Sequence, residues 1–179
     1  MIAAKIDGAA RILPMTAWYS LTLMLHLVAI ALWLGAMVFF LVVSGPAVQE
    51  LEAPIAIKTM NQSRIGLETI SWTAVALLLA TGIANLLMRN QAAAAALGKS
   101  YVILLATKLF LFGAMAMHHG LQVFKYGPRI ATLTAALPAN ATSWPEPLLS
   151  NWRRWFLLLK INAGLGPIAV LLGLALVKG

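Results

Sequence analysis

The chain has 179 residues, of which 61% are hydrophobic and only 10% charged, and its mean hydropathy is +0.88. Soluble domains are about 25% charged, so this composition excludes an ordinary soluble protein and indicates a membrane protein. The net charge of +8 then predicts attraction to anionic lipid headgroups, and we expect no nucleic-acid partner.

Four apolar runs are each long enough to cross a bilayer, which takes about 20 residues of helix. In chain order they are Ala17–Val43, Thr69–Met88, Ser100–Phe124 and Trp155–Val177. No alternating strand pattern accompanies them, and helices satisfy their own backbone polar groups inside lipid. The sequence therefore predicts an all-α, multi-pass protein: one transmembrane domain over residues 1–179, folded as an up-down four-helix bundle in the lipid bilayer.

The connections between the runs differ in character. Ser44–Glu68 contains an amphipathic stretch, Glu50–Arg64, which we expect to lie along the membrane interface. Lys125–Arg154 contains four prolines and predicts a long surface loop. Three tryptophans suit an interfacial aromatic belt: Trp144, Trp152 and Trp155. No internal repeat is evident.

The three histidines of the chain all lie in the first and third apolar runs, at His26, His118 and His119. Ionisable side chains inside a membrane are costly, which makes them functional candidates. Imidazole is a common ligand of haem iron and of copper. The chain has no cysteine, which excludes thiolate ligands, iron–sulfur clusters and covalently attached haem.

Helical periodicity places the candidate ligands on two stripes. The stripes are His26, Trp33 and Met37 in the first run, and Lys108, Phe112, Met115 and His119 in the third. His118 is turned by about 100° from its neighbour His119. The first and third runs are parallel in an up-down bundle, so His26 and Lys108 are expected at similar depth. Two histidine ligands, a histidine–methionine pair and two separate sites all remain open.

The segment from His26 to Gly35, followed by Gly45-Pro46-Ala47, resembles the copper-resistance D domain family of bacterial membrane proteins. Thr81-Gly82 and Lys108-Leu109 fit the same pattern. That domain is similar to the four-helix, haem-b-binding protoporphyrinogen oxidase family of bacteria, whose pattern is echoed by His26, Lys108-Leu109, His119 and Trp155…Asn162…Lys178. The resemblance spans residues 18–178 and implies a haem- or copper-handling protein of the bacterial inner membrane.

Two departures separate the chain from the oxidase pattern. Ala163 stands where an acidic residue is expected, and Ser44-Gly45-Pro46 replaces an extended Arg/Tyr/His segment. Both argue against porphyrinogen oxidation.

Three functions follow from these patterns and the resemblance. The first is a haem b protein in which His26 and His119, or His118, ligate iron. Lys108 or a loop arginine would pair with a propionate, and Trp33 would pack beside the cofactor. Such a protein would pass electrons between quinone, or a redox partner, and a larger membrane complex.

The second function is copper handling, with soft stepping sites for Cu(I) at His26, Met37, Met115, His118 and His119. The third is a structural subunit of a membrane complex whose histidines are only packed.

Overall fold

The computed structural model describes residues 2–92, 98–138 and 141–178, with side chains over residues 17–89, 98–138 and 141–176. In chain order the elements are α1 (Ile2–Phe39), π1 (Phe40–Ser44), α2 (Gly45–Val48), α3 (Ala53–Ala92), α4 (Lys99–Gly120), π2 (Leu121–Tyr126), α5 (Gly127–Ala135) and α6 (Glu146–Lys178). No strand occurs within these ranges. The all-α prediction is confirmed.

Four stretches of this helical chain are long and apolar enough to cross a membrane. They are Ala17–Val48, Ala53–Arg89, Lys99–Ala135 and Glu146–Leu176. Each coincides with one predicted run to within a residue at the apolar end, which confirms the four-helix bundle of membrane-spanning helices. Each is more than 30 residues long, or over about 45 Å at 1.5 Å per residue, whereas the hydrocarbon core is about 30 Å thick.

The extra length lies at one end of the bundle, because the predicted apolar runs occupy the other part of each helix. We call this the α5 end; it contains α2, the first turns of α3, all of α5 and the first turns of α6. The opposite end contains the first turns of α4 and the last turns of α3 and α6, and we call it the terminal end.

Two predicted connections are mostly helical at the α5 end, so the interfacial stretch and the uninterrupted surface loop were wrong predictions. Residues 49–52, 136–138 and 141–145 remain non-helical. α3 begins at Ala53 and already buries Ile57 and Met60, and α6 begins at Glu146. Trp152 and Trp155 are buried inside the bundle, at 2% and 1% exposure, rather than forming an interfacial belt. The reason is that the helices continue past the lipid and bury apolar side chains against one another.

Both π segments are caused by a Gly-Pro pair. Proline lacks the N–H for an α-helical hydrogen bond, and its ring clashes with the carbonyl one turn earlier. The chain inserts an extra residue in that turn, so Gly45 N–H donates to Phe40 O and Gly127 N–H donates to Gln122 O. Because of this widening, α1 and α4 continue into α2 and α5 without a break.

The burial pattern reveals an internal repeat. Buried residues of α1, π1 and α2 have buried counterparts 82 positions later in α4, π2 and α5. The pairs are Trp33 with Met115, Met37 with His119, Phe40 with Gln122, Gly45 with Gly127, and Val48 with Ile130. The two Gly-Pro pairs have the same separation. Few of the paired residues are identical, which is why the repeat is not evident in the sequence.

The same correspondence links α3 and α6, at a separation of 81 positions. The buried pairs are Leu67 with Leu148, Ser71 with Trp152, Ala74 with Trp155, Leu78 with Leu159, and Thr81 with Asn162. α1 packs along α3 just as α4 packs along α6. The bundle therefore consists of two parallel halves, related by a pseudo-two-fold axis along the membrane normal.

Candidate cofactor site

A cavity of about 330 Å³ lies among α1, α3, α4 and α6, in the half of the bundle nearer the terminal end. Its volume is at the lower limit of small-molecule sites, which are roughly 300–1,000 Å³. Aliphatic and aromatic side chains form most of its wall, and the polar side chains that line it include Tyr19, His26, Asn85, Arg89, Tyr101 and Lys108. An apolar wall with few polar groups is typical of a ligand site.

The imidazole of His26 is oriented by Thr81. The Thr81 hydroxyl donates to Leu77 O at 2.5 Å, and His26 Nδ1 lies 2.8 Å from the same hydroxyl oxygen. We assign the tautomer in which the hydroxyl gives its proton to Leu77 O and its oxygen accepts from His26 Nδ1–H. Nε2 then carries the lone pair of the neutral ring, and no described residue is its partner. This is the arrangement that prepares a histidine to bind a metal.

Lys108 reaches the same cavity from α4. A Cβ added at Gly173 of α6 would lie 3.1 Å from Lys108 Nζ, so this glycine leaves room for the ammonium. Within the described ranges, the ammonium has no hydrogen-bond acceptor and no carboxylate partner. His26 and Lys108 are 82 positions apart, so they occupy equivalent places in the two halves of the bundle.

Trp33 also lines the cavity and has an unpaired polar atom. Its side chain is 3% exposed and packs edge-to-face on Phe112, with the ring centroids 6.3 Å apart. Its Nε1 is buried without an acceptor in the described part of the chain. Buried indole N–H groups usually have a partner, and this one is enclosed by protein atoms. Within the described part of the chain, two polar groups that line the cavity lack a partner: Nε2 of His26 and Nζ of Lys108.

Arg89 joins three helices at the terminal end of the cavity. Its Nη1 donates to Leu176 O of α6 at 2.8 Å, and its guanidinium lies 4.6 Å from the centroid of the Tyr101 ring of α4. Because Arg89 itself belongs to α3, it connects the ends of α3, α4 and α6. Unlike Lys108, this cation already has protein partners.

The other two histidines lie outside the cavity. His118 Nδ1 is 3.0 Å from Asn162 Oδ1, and Asn162 Nδ2 donates to Met115 O. His119 is 4% exposed, its ring lies 5.2 Å from the ring of Trp72, and its Nε2 is buried without a partner among the described residues. The two neighbouring imidazoles therefore contact different helices.

The structure does not bring His26 and His119 together. His26 contacts Thr81, whereas His119 contacts Trp72, nine residues earlier in α3. Nine residues correspond to about 13 Å along the helix axis, whereas a metal-bound imidazole nitrogen lies about 2 Å from the metal.

The two methionines proposed as ligands are also distant from His26. Met37 is eleven residues further along α1, about 16 Å along its axis, and is buried. Met115 lines the cavity, but it lies seven residues beyond Lys108, about 10 Å along α4. Among the described residues, no three His, Asp or Glu side chains converge as metal ligands. The five residues predicted for copper are therefore spread along the bundle, and their role as separate stepping sites for Cu(I) stays a prediction.

Sequence reasoning missed a polar cluster at the α5 end. Arg64 Nη1 lies 2.7 Å from both carboxylate oxygens of Glu68, and the side chains of this pair are 4% and 11% exposed. Trp155 Nε1 donates to Glu68 Oε1, and Gln122 Nε2 donates to Trp155 O. In the sequence these two residues stand just before the second apolar run, which begins at Thr69. Their four-residue spacing within a helix was the available signal for an ion pair.

The fold and the cavity define a four-helix bundle of the membrane-spanning kind with an internal, mostly apolar cavity. Comparisons with models of protein families, with curated proteins and with solved structures find no match to this chain. The resemblance to the copper-resistance D domain family therefore stays a prediction.

Proposed function

We propose that the protein is a membrane-embedded b-type haem protein that transfers electrons as a subunit or partner of a larger bacterial redox complex. The observation that supports this proposal is the arrangement of His26. Its Nδ1–H is bound by Thr81, and its Nε2 lone pair is free in a ring that lines an apolar cavity. Neutral imidazole in such an environment is a common ligand of haem iron.

The residues of the cavity fit one haem held by one protein ligand. His26 would bind the iron, and the Lys108 ammonium, which has no protein acceptor, would pair with a propionate. Arg89 at the terminal end is a second cation within the same cavity wall. When bound, haem supplies one-electron transfer, while the protein supplies the ligand, the apolar wall and the orientation.

The site offers only one imidazole, which changes the expected ligand set. His118 and His119 are not in the cavity wall, so we do not propose them as partners of His26. Trp33 would pack its ring beside the cofactor, since its side chain lines the cavity while its Nε1 is enclosed by protein.

The surroundings of the cavity favour a redox partner that is itself in the membrane. The helices that line the cavity are the four that are long and apolar enough to cross a membrane, so a partner within the bilayer could reach the cofactor without leaving lipid. We propose quinone, or another subunit of a complex in the bacterial inner membrane, as the electron donor or acceptor.

The test is a reduced-minus-oxidised visible spectrum of the detergent-purified protein, with pyridine haemochrome and copper analysis on the same sample. We expect a b-type spectrum with about one haem per chain, lost in His26→Ala and retained in His118→Ala and His119→Ala. The two latter variants are matched controls, because they remove an imidazole from the same bundle outside the cavity. Full haem retention in His26→Ala, or copper in place of haem, would contradict the proposal.

A further inference from the structure

α3 and α4 are separated along the middle of the cavity. These two helices make few direct contacts, whereas α1 packs along α3 and α4 packs along α6. Leu79 and Ile83 of α3 and Leu109 of α4 line the cavity and yet are each more than half exposed. Side chains that border a cavity and also face the outside mark its opening. We call the space between α3 and α4 at these three residues the slot.

The slot is closed at both ends. Towards the terminal end, the Arg89 guanidinium stacks on the Tyr101 ring. Towards the α5 end, the Trp72 ring packs on the rings of His119 and Phe124, at 5.2 and 5.8 Å. Within the described side chains, no hydrogen bond, ion pair or ring contact joins α3 to α4 between these closures. The opening therefore faces the hydrocarbon core of the bilayer rather than water.

The pseudo-symmetry shows that this opening is specific to one seam of the bundle. The equivalent seam lies between α6 and α1, where the side chain of Leu34 contacts Gly166 so closely that a Cβ there would collide with it. The residue 82 positions after Leu34 is Ala116 of α4. A leucine closes one seam, and an alanine stands at the equivalent position of the other.

We propose that the cavity is filled sideways from the bilayer, through the slot, by a lipid-soluble amphipathic molecule whose polar part meets His26 and Lys108. The apolar border of the slot would admit an apolar molecule without desolvating charges. The ammonium of Lys108 and Nε2 of His26 provide a donor and an acceptor inside, where hydrocarbon offers neither. Haem b, the ligand of the function proposed above, is one such molecule. The route through the slot does not depend on which molecule uses it.

The absence of cysteine allows the slot to be bridged selectively. The variant Ile83→Cys/Leu109→Cys would be reconstituted in vesicles and bridged with a reducible bifunctional thiol reagent. Haem b supplied from donor vesicles is the first probe. Its uptake is measured as the rise of its visible absorption. We expect bridging to slow uptake by at least about tenfold, as gated sites require, and a reductant to restore it. Each single-cysteine variant treated with the same reagent should load at the rate of the unmodified protein.

Spin-labelled phosphatidylcholine is the second probe, and it separates this inference from the haem proposal. The label quenches tryptophan, and the part of the quenching that disappears in Trp33→Phe reports on the cavity wall. We expect Trp33-dependent quenching in the protein without the crosslink, and we expect bridging to remove it. If haem never binds but bridging removes the Trp33 quenching, the haem proposal is wrong and entry through the slot is supported. Uptake at an unchanged rate after bridging, with Trp33 quenching unaffected, would overturn the slot.

Ala116→Leu tests the route without any crosslink. Ala116 lies about 10 Å from Leu109 along α4, between the slot and the Trp72–His119 closure. A leucine there would narrow that end of the opening, so we expect slower haem uptake and weaker Trp33 quenching. Leu171→Ala is the control. Leu171 lies on the outer face of α6, is 64% exposed and is outside the cavity wall, so this change should leave both haem uptake and Trp33 quenching unchanged. Equal uptake in Ala116→Leu and the unmodified protein would count against the slot.

Discussion

The two ends of the bundle differ in whether their charged side chains have protein partners. At the α5 end, the carboxylate of Glu68 is paired with Arg64 and also accepts from Trp155. In the cavity nearer the terminal end, Lys108 has no acceptor and His26 keeps one nitrogen free within the described structure. Satisfied buried groups contribute to a unique fold, whereas unsatisfied ones lower stability unless a ligand completes them. Uncharged polar atoms do not follow this contrast, because Ser71 Oγ, Thr134 Oγ1 and Trp152 Nε1 towards the α5 end also lack partners among the described residues. The feature that distinguishes the cavity is its unpaired cation.

The two halves of the repeat also differ in what their histidines contact. Thr81 and Asn162 are equivalent residues, and each binds a histidine of the neighbouring helix, His26 and His118 respectively. Asn162 also bonds to the backbone of α4, so the second histidine belongs to a helix–helix contact. The first faces a cavity instead.

The largest stability effect is expected from breaking the ion pair. Arg64→Met leaves Glu68 as an uncompensated buried charge, which typically costs about 3–5 kcal/mol. The measurement is the free energy of unfolding in mixed micelles. Lys58→Met, which removes an exposed charge from the same helix, is the control and should change it by less than about 0.5 kcal/mol.

A double variant distinguishes charge burial from lost packing. In Arg64→Met/Glu68→Gln no charge is left unpaired, and the glutamine oxygen still accepts from Trp155 Nε1. We expect this variant to be more stable than Arg64→Met alone. Equal stability of the two would mean that the cluster is held by packing rather than by charge pairing.

The next effect concerns the backbone beside this pair. A Cβ at Gly127 would lie 2.7 Å from Arg64 Nη1 and 3.2 Å from Gln122 O, so Gly127→Ala forces the guanidinium away from Glu68. We expect a loss of about 1–3 kcal/mol in unfolding free energy, as for other overpacked sites. At Gly113 of α4 a Cβ would meet nothing within 4 Å. Gly113→Ala should therefore be neutral or stabilising, and an equal loss in both variants would refute the steric explanation.

For Lys108 in the cavity, we expect the change in the free energy of unfolding to have the opposite sign. Lys108→Met removes an ammonium that has no protein partner, so the free energy of unfolding should stay equal or rise by up to about 2 kcal/mol. The same mixed-micelle measurement tests this, on protein freed of any bound cofactor. A clear loss of stability would show that Lys108 supports the fold, and the contrast between the two ends would then fail.

Hydropathy was sufficient to predict the four spans, because lipid requires long apolar helices whatever their partners are. Periodicity also placed Lys108, Phe112 and Met115 on one face, and all three line the cavity. Neither hydropathy nor periodicity predicted the helical turns outside the apolar runs. The first sixteen residues of α3 are amphipathic and contain charges, and their helical state depends on burying Ile57 and Met60 against other elements.

The site was harder to predict than the spans, because side-chain identity does not reveal partners. His26, His118 and His119 are alike in the sequence, and only the packing shows that one faces a cavity. The repeat was hidden for a related reason: the two halves conserve which positions are buried, while the residues that fill them differ, as with Met37 and His119.

The smallest stability effect is expected from Thr81→Val, and it tests the orientation of His26. Valine keeps the shape but removes the acceptor of His26 Nδ1–H, which costs about 1 kcal/mol. If haem binds at His26, its affinity should fall by about 10-fold or more, as for other lost partners of a ligating histidine. Thr73→Val is the matched control, because the Thr73 hydroxyl donates to Thr69 O at the same helical spacing but is exposed.

A readout that needs no cofactor separates orientation from stability. Nitrogen NMR of labelled histidine should show His26 protonated at Nδ1 in the unmodified protein and in Thr73→Val, because in the assigned tautomer the Thr81 hydroxyl donates to Leu77 O and accepts from Nδ1–H. In Thr81→Val this preference should disappear, since neither ring nitrogen then has a fixed partner. A ring protonated at Nε2 in the unmodified protein would leave no lone pair facing the cavity, and His26 would have to be removed as the proposed iron ligand.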